Sequence, residues 1–316
     1  MLRATLLLSL LALPHIGLYA SDPVADKKAM SLQDLGSLLA SHAQAVRTFQ
    51  AVMVRTTEPA KPGDAPVVTH YCLSADPLSS HYRLDWLEME TKEDAFPFYT
   101  MEMWDGHNEV RWQRGCGKES REAVLAVLAN PSDAAHAALF PVLHAGVAYT
   151  REVPHLGPRL VPYLRLMGLM YGPFTGPEMC QWAATHGGKV SVDDHGLINL
   201  SYDGSTTFTF DSTGGLKSAH VVADDGKLFE EIEVHKTMTL GGTTLPAELQ
   251  VTWLLPDGRP QISEVKIDNG PRLLSEDKLT ELLHPLYPKG LDVHPHTRGK
   301  GYRLSAASRS IELTLP

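Results

Sequence analysis

The chain has 316 residues, which is long enough for one large β domain or two small ones. Its formal net charge is −9 at pH 7. An acidic chain without a basic cluster is a poor partner for nucleic acid or for an anionic membrane surface, so neither is expected to bind.

The N-terminus is typical of a secretory signal peptide. Arg3 supplies a positive charge, residues 4–18 form a short apolar run, and Ala20 precedes a polar stretch. We predict cleavage after Ala20, so that residues 1–20 are the signal peptide and residues 21–316 form a single domain in the periplasm or outside the cell. An uncleaved N-terminal anchor is the alternative. The run is short for a membrane span and no cysteine follows it for lipid attachment, so we expect a mature chain without a transmembrane segment.

A helix followed by strands is predicted for the first part of the chain. Ser31 can cap a helix, with Asp34 in the capping-box position, and leucines recur after it at helical spacing. Asp105-Gly106 lies between two apolar segments and indicates a hairpin. The predicted strands are residues 49–55, 67–73, 81–87, 98–104 and 109–112.

From Ser120 to Gly187 the apolar period changes to that of helices. An apolar helical insert in an antiparallel-sheet protein must cover something, and the open face of the sheet is its natural target. Gly168, Gly172 and Gly176 flank these helices as candidate hinge points. The predicted segments are residues 123–129, 132–139, the strongly apolar 160–171, and 176–186.

Residues 188–270 have the pattern of an antiparallel meander. Segments with alternating apolar residues are separated by turn signals such as Asp203-Gly204, Asp257-Gly258 and Asn269-Gly270, whose glycines supply the positive φ angles of tight hairpins. Turn signals this close leave no room for crossover helices. A last short helix is predicted at residues 275–283, and the tail after it alternates again.

The order of these elements resembles the lipoprotein-carrier fold of bacterial envelopes, the LolA and LolB type, and also the sensor domain of the periplasmic regulator RseB. The resemblance lies in the exported N-terminus, the helix that leads directly into Phe49-Gln50-Ala51-Val52-Met53, the strand Tyr82-Arg83-Leu84-Asp85-Trp86, the Trp104-Asp105-Gly106 turn, and the helices that precede the meander. It is a similarity of layout and covers roughly residues 31–270.

This resemblance implies an α+β fold with a large curved antiparallel sheet. In that family the sheet is an incomplete, half-open β-barrel, and helices cover its concave face above an apolar cavity. Residues 31–270 would be the core of the single LolA-like domain, and residues 271–316 would be a C-terminal extension that the family layout lacks. The helical insert is also longer than in the family.

Seven side chains are candidates for lining such a cavity. Methionine adapts to varied apolar ligands, and aromatic rings supply a large contact area. The alternative is that these side chains fill a core, because alternation alone does not say which face of a curved sheet is concave. The candidates are Trp86, Met101, Met103, Trp104, Trp112, Met167 and Met170.

The three cysteines leave two interpretations open. An oxidising compartment permits one disulfide, and Cys72 with Cys116 is the favoured pair because both lie in the strand-rich region; three unpaired, partly buried thiols are the alternative. Cys116 also follows Arg114 and precedes Lys118, and nearby positive charge favours a reactive thiolate. Nothing in the sequence orients a base for it.

The sequence lacks a complete metal or cofactor motif. His294-Pro295-His296 is the one close histidine pair, and only Asp292 lies near it as a further ligand. The acidic pairs Asp193-Asp194 and Asp224-Asp225 lie in turns without the further oxygen ligands that calcium needs. There is no helical His-Glu-x-x-His, no Gly-x-Ser-x-Gly and no phosphate-binding glycine loop. We therefore expect no metal, no cofactor and no enzyme.

The function that these patterns favour is binding of a lipid, a lipoprotein acyl chain or another amphiphile in an apolar cavity of an exported envelope protein, without catalysis. A sensory or structural interaction domain that binds an envelope protein partner is the alternative and shares the same fold. A hydrolase that depends on Cys116 or on a metal ion is the third hypothesis.

Overall fold

The computed structural model describes most of the chain between Met30 and Ile311. The predicted signal peptide and most of the helix predicted at residues 132–139 lie outside the described residues. The described residues are 30–59, 61, 63–89, 98–106, 108–116, 120–129, 135, 139, 146–152, 157–202, 205–223, 226–255, 257–295 and 300–311.

Helices and strands alternate in blocks along the chain. In the part of the chain that the structure describes, the helices are α1 (Leu32–Ala45), α2 (Arg121–Ala129), α3 (Gly157–Leu166), α4 (Gly176–Thr185) and α5 (Glu276–Leu283), with a π-helical turn at Met170–Phe174. The strands are β1 (Phe49–Thr57), β2 (Val67–Asp76), β3 (His81–Met89), β4 (Phe98–Trp104), β5 (Asn108–Gly115), β6 (Val147–Glu152), β7 (Lys189–Val192), β8 (Ile198–Tyr202), β9 (Thr206–Phe210), β10 (Leu216–Val222), β11 (Leu228–Leu240), β12 (Thr243–Leu254), β13 (Pro260–Leu273), β14 (Asp292–Pro295) and β15 (Tyr302–Arg303).

The strands of the described residues all belong to one sheet of 15 strands, whose order is β15-β14-β6-β5-β4-β3-β2-β1-β13-β12-β11-β10-β9-β8-β7. The edge strands β15 and β7 do not pair with each other, so the sheet is open. The predicted α+β class with a large open sheet is confirmed. None of the described helices combines the length and the apolar character needed to cross a bilayer.

Two antiparallel meanders, β1–β5 and β7–β13, meet where β1 pairs with β13. The turn between β11 and β12 shows how local sequence makes the meander: Gly241 and Gly242 both have positive φ, as a two-residue type I′ hairpin requires. One pair departs from the predicted antiparallel arrangement. Strand β14 lies parallel to β6, because the chain crosses through α5 before it returns to the sheet.

The two faces of the sheet, face A and face B, carry separate cores. Face A is the face of Met53 and Ile267, which are direct partners across the β1–β13 pair. Side chains of α1, α3, α4 and the π-helical turn pack on it. Face B is the face of Cys72 and Met101, and α2 and α5 pack on it over the first meander.

The helices therefore lie on both faces, whereas the sequence predicted them on one. The physical reason is visible in β4, where every side chain from Tyr99 to Trp104 is buried, so both faces of the first meander must be covered. The insert at residues 120–187 divides accordingly: α2 packs on face B, and α3 and α4 pack on face A. Strand β6 lies between them and was missed by the sequence analysis.

The C-terminal residues are an integral part of the fold. Leu279 and Leu283 of α5 are buried against face B, and Tyr287, Leu291 and Val293 are completely or almost completely enclosed there. Strands β14 and β15 extend the sheet beyond β6. The described residues after Gly270 are thus joined to the predicted core by both a shared hydrophobic core and backbone pairing.

Predicted helix boundaries are confirmed where the signals are local. Ser31 Oγ accepts from Asp34 N at 3.1 Å, and Asp34 Oδ2 accepts from Ser31 N at 3.1 Å, which completes the capping box of α1. Ser275 caps α5 by accepting from Lys278 N at 3.2 Å. Pro177 lies in the first turn of α4.

Candidate ligand-binding site

The seven residues proposed from the sequence lie on opposite faces of the sheet. Four are on face A, in or against the core beneath α3, and three are on face B, in the core beneath α2 and α5. The seven therefore do not share one cavity. Most are tightly enclosed, as the alternative of a filled core predicts. The face A set is Trp86, Trp104, Met167 and Met170, and the face B set is Met101, Met103 and Trp112.

A cavity of about 370 Å³ opens on face A between α3 and the ends of β1, β11 and β12. This volume falls within the range of about 300–1,000 Å³ that is usual for small-molecule sites. The wall combines apolar and aromatic side chains with three charged groups. The lining residues are Arg55, Pro162, Arg165, Leu166, Phe229, Glu230, Trp253 and Leu254.

Strand register brings these side chains together. Glu230 and Trp253 are direct partners across the β11–β12 pair, so they lie side by side on face A. Phe229 is the extra residue of a β-bulge, because Val221 pairs with Glu230 while Val222 pairs with Leu228. Such a bulge changes the direction of a side chain. The Phe229 ring lies at the cavity rim with 46% of its surface exposed.

Arg55 is held in a fixed place on the cavity wall. Its guanidinium carbon lies 4.8 Å from the centroid of the Trp253 ring, and its Nε donates to Ser263 Oγ at 3.1 Å. Trp253 Nε1 donates to Gln261 Oε1 at 2.7 Å, which fixes the indole from its edge. Among the described residues, Arg55 has no ion-pair partner. The cavity therefore has a stacked, oriented cation beside its apolar wall.

Glu230 joins three elements at the other side of the cavity. Its side chain is 1% exposed, its Oε2 accepts a short hydrogen bond from the Tyr171 hydroxyl, and Arg165 Nε lies 3.1 Å from the same oxygen. Its Oε1 accepts no hydrogen bond from the described residues. Burial raises the pKa of the Glu230 carboxyl, and the Tyr171 hydrogen bond and the charge of Arg165 only partly offset this effect.

Of the elements that form the cavity wall, helix α3 is the candidate for movement. Pro162 lies inside it and supplies no backbone N–H, so one helical hydrogen bond is missing there. The helix ends in a Schellman motif, in which Gly168 N donates to Arg165 O at 2.9 Å and Leu169 N donates to Leu164 O at 2.8 Å. Gly168 has φ +63°, as this motif requires.

The three glycines proposed as hinges occupy different environments. Gly168 ends α3, and Gly172 lies inside the π-helical turn. Gly176 permits close packing, since a Cβ there would lie 2.4 Å from Leu39 Cδ1 on α1. Hinge motion at these positions stays a prediction, while close packing is the evident role of Gly176.

None of the three cysteines is in a disulfide and all three are buried, so the bond predicted between Cys72 and Cys116 is not formed. Three strand spacings separate β2 from β5, about 14 Å along the sheet, and a disulfide spans about 4.4–6.8 Å between Cα atoms. Burial raises the pKa of Cys116, which is opposite to the change that a nucleophilic thiol needs. Burial raises the pKa of Cys180 to about 11.

The other proposed polar sites have structural explanations. Asp193 Oδ1 accepts from His195 N and Leu197 N, both at 2.9 Å, which stabilises its turn. The pair Asp224-Asp225 and His296 lie outside the described residues. Within the part of the chain that is described, no three His, Cys, Asp or Glu side chains form a group that could hold a metal ion.

A second cavity, of about 340 Å³, lies between α1 and α4. It is lined by small and uncharged side chains, so it offers a ligand few directional contacts. The lining residues are Leu32, Gln33, Gly36, Ser37, Ala40, Pro177, Cys180, Gln181 and Ala184.

Four residues of this cavity were not predicted from the sequence: Arg55, Arg165, Phe229 and Glu230. A signal was present for two of them. Glu230 occupies the same register as the apolar Ile232 and Val234 in β11, and Arg55 continues the series of Met53 in β1. A charged residue at a position of apolar register marks either a buried ion pair or a polar site on an apolar face.

No family model matches the chain, and no curated protein matches it. Among solved structures, the chain is similar to a LolA superfamily protein from Nitrosomonas europaea, with 13% identity, a TM-score of 0.40, and coverage of 77% of this chain and 96% of that chain. It is also similar to a DUF1329 family protein from Desulfovibrio piger, with 8% identity, a TM-score of 0.37, and coverage of 79% and 98%. A domain from Vibrio parahaemolyticus that is described as an outer membrane lipoprotein-sorting protein has 8% identity, a TM-score of 0.36, and coverage of 78% and 96%.

Proposed function

We propose that the protein binds a lipid or another amphiphile in the cavity beside α3 and that it does so without catalysing a reaction. The observation that carries this proposal is the composition of the cavity wall, in which Phe229, Trp253 and Leu254 lie directly beside oriented charges. An amphiphile has the same combination of an apolar body and a polar end. With the predicted signal peptide, the protein would act in the cell envelope.

The free energy of binding would come mainly from apolar area. A ligand that covered the exposed part of Phe229 and the neighbouring apolar wall would gain about 25 cal/mol for each Å² removed from water. A ligand whose apolar chain exceeds the cavity volume of about 370 Å³ would need additional space. Displacement of α3 would separate its own Leu160 and Leu164 from the face A side chains that they pack against, such as Met53, and would so enlarge the apolar space.

A protein partner is the second candidate function, and one surface feature favours it. Trp182 of α4 is 43% exposed and stacks on His186 with 3.9 Å between the ring centroids. Tyr202 of β8 contacts the Trp182 ring edge-on at 4.6 Å. Exposed aromatic rings of this kind are common at protein interfaces. The hydrolase hypothesis is weakened, since burial raises the pKa of the Cys116 thiol.

The test uses native mass spectrometry with lipid extraction, followed by titration with an uncharged fluorescent amphiphile. Phe229→Ala removes a half-exposed ring at the cavity rim, so we expect the affinity to fall by about fivefold to tenfold with little loss of stability. Leu78→Ala is the matched control, because Leu78 is 44% exposed and lies in the turn after β2, away from the cavity.

The proposal fails if no amphiphile co-purifies and the probe does not saturate. It also fails if Phe229→Ala and Leu78→Ala have the same effect on the affinity, because the probe would then be bound elsewhere on the surface.

A further inference from the structure

We infer that the cavity selects amphiphiles with one anionic head group, a carboxylate or a phosphate, and that Arg55 binds this group. The inference rests on the proposed function and adds the chemical class of the ligand to it.

The charges on the cavity wall do not balance. Arg165 and Glu230 neutralise each other at 3.1 Å, while Arg55 has no carboxylate partner among the described residues. The wall therefore has one positive charge in excess. A cation beside an apolar wall loses part of its hydration, and a ligand anion is the group that compensates for this loss.

Arg55 is oriented before any ligand arrives. The Trp253 ring lies against one face of the Arg55 guanidinium, with 4.8 Å between the guanidinium carbon and the ring centroid, and Arg55 Nε donates a hydrogen bond to Ser263 Oγ at 3.1 Å. These contacts leave the two terminal nitrogens for a ligand, in the planar geometry that matches a carboxylate or a phosphate. Because the side chain is already fixed, little conformational entropy is lost when an anion binds.

Apolar side chains line the same cavity as Arg55 and could contact the hydrocarbon tail of the ligand. Leu166 of α3 and Leu254 of β12 line the same cavity as Arg55, and Phe229 lies at its rim. The carboxylate of Glu230 is the one acidic group among the lining residues, and its Oε2 is occupied by Tyr171 and Arg165. A single anionic end next to a hydrocarbon tail therefore matches the wall better than an uncharged or a cationic amphiphile.

The test compares a dansyl-labelled medium-chain fatty acid with the primary amide of the same acid, so that the two probes share the label and the chain and differ only in the head group, an anionic carboxylate or an uncharged amide. We expect the wild-type protein to bind the acid about tenfold or more tightly than the amide. Arg55→Gln should bring the ratio of the two affinities close to one, and Arg55→Lys should keep part of the preference. The acid's affinity in the wild type should fall with added salt, a measurement that needs no variant.

Arg303→Gln is the matched control at the far edge of the sheet. Arg303 pairs with Asp292 at 2.6 Å, and its loss should leave the ratio of affinities unchanged. An alkyl phosphate should compete with the acid probe, while inorganic phosphate should not. Effective competition by inorganic phosphate would identify a site for free anions and overturn the inference.

The failures of the two proposals are distinguishable. If the wild type binds the acid and the amide equally, or if Arg55→Gln folds and keeps the wild-type ratio, the inference is overturned and amphiphile binding still stands. If the wild type binds neither probe, the proposed function itself fails.

Discussion

Two single residues, Glu230 and Arg55, place charged groups on the otherwise apolar face A of the sheet. Glu230 and Arg55 each continue a series of apolar same-face residues in their strand, Ile232 and Val234 for Glu230 and Ala51 and Met53 for Arg55. Placing a charge at such a position is unfavourable unless it is paired or used. Glu230 is paired through Tyr171 and Arg165, whereas Arg55 is supported by stacking on Trp253. The charge of Glu230 is therefore explained by its ion pair within the protein, whereas the charge of Arg55 is explained by the proposed binding of a ligand anion.

Glu230 should make the stability of the protein depend on pH. Burial raises the pKa of its carboxyl above the ordinary value of 4.5, so the folded protein holds this proton more tightly than the unfolded chain. The stabilisation is complete below pH 4.5 and is lost as the pH rises through the folded-state pKa. We therefore expect the free energy of unfolding of the wild type, relative to Glu230→Gln, to fall as the pH rises above 4.5.

Urea titrations at a series of pH values measure this difference. Glu233→Gln is the matched control, because Glu233 lies in the same strand with its side chain exposed on face B. Replacing this exposed carboxylate should change the stability by no more than about 0.5 kcal/mol. A constant difference between the wild type and Glu230→Gln would contradict the prediction.

At the scale of elements, local capping chemistry determines where α1 begins. Ser31→Ala removes the hydroxyl that accepts from Asp34 N at 3.1 Å, and it leaves a backbone donor without this partner. We expect a loss of about 1 kcal/mol in the free energy of unfolding. Chemical denaturation measures it.

Ser41→Ala is the control within the same helix. Ser41 donates to Leu38 O at 2.7 Å from an exposed position past the middle of α1, and alanine is a better helix former than serine. The change should stay within about 0.5 kcal/mol. Equal losses for the two variants would show that the cap does not stabilise α1.

The sequence predicted elements where the signals are local and failed where pairing is distant. Ser31, Pro177 and Ser275 mark helix starts within a few residues, so α1, α4 and α5 were predicted correctly. Strand β6 was missed because it lies among helices. Its pairing, Trp112 with Ala148, joins residues on two sides of α2.

The candidate ligand-binding site could not be predicted for the same reason, because distant segments of the chain form it. Arg55 of β1 and Trp253 of β12 lie far apart in sequence and meet because β13 pairs with both of their strands. No local pattern contains that information. Of the seven methionine and tryptophan residues proposed for a cavity, Trp86 and Met170 are partly buried and the others are buried. Their division between face A and face B depends on strand register and helix placement.

At the scale of the whole molecule, the pairing of β1 with β13 and the C-terminal residues connect all parts of the chain. Residues 21–316 were predicted to form a single domain, and this stays a prediction about cooperative behaviour. The structure gives it a physical basis, because the tail completes the core of the first meander and β13 connects that meander to the second. A substitution in the tail should therefore affect strands on the other side of the molecule.

Leu291→Ala tests this expectation. Leu291 is completely buried against face B, so the substitution removes apolar contacts and leaves a cavity, and we expect a loss of about 2–5 kcal/mol. In one cooperative domain, hydrogen exchange of the most protected amides in β8–β12 should accelerate by the corresponding factor, although these strands are far from Leu291 in the sheet order.

Leu273→Ala is the matched control, because Leu273 is 49% exposed and should change the stability by no more than about 0.5 kcal/mol. Unchanged exchange in β8–β12, with destabilisation confined to β2–β5, would mean that the two meanders unfold separately and that the chain is not one domain.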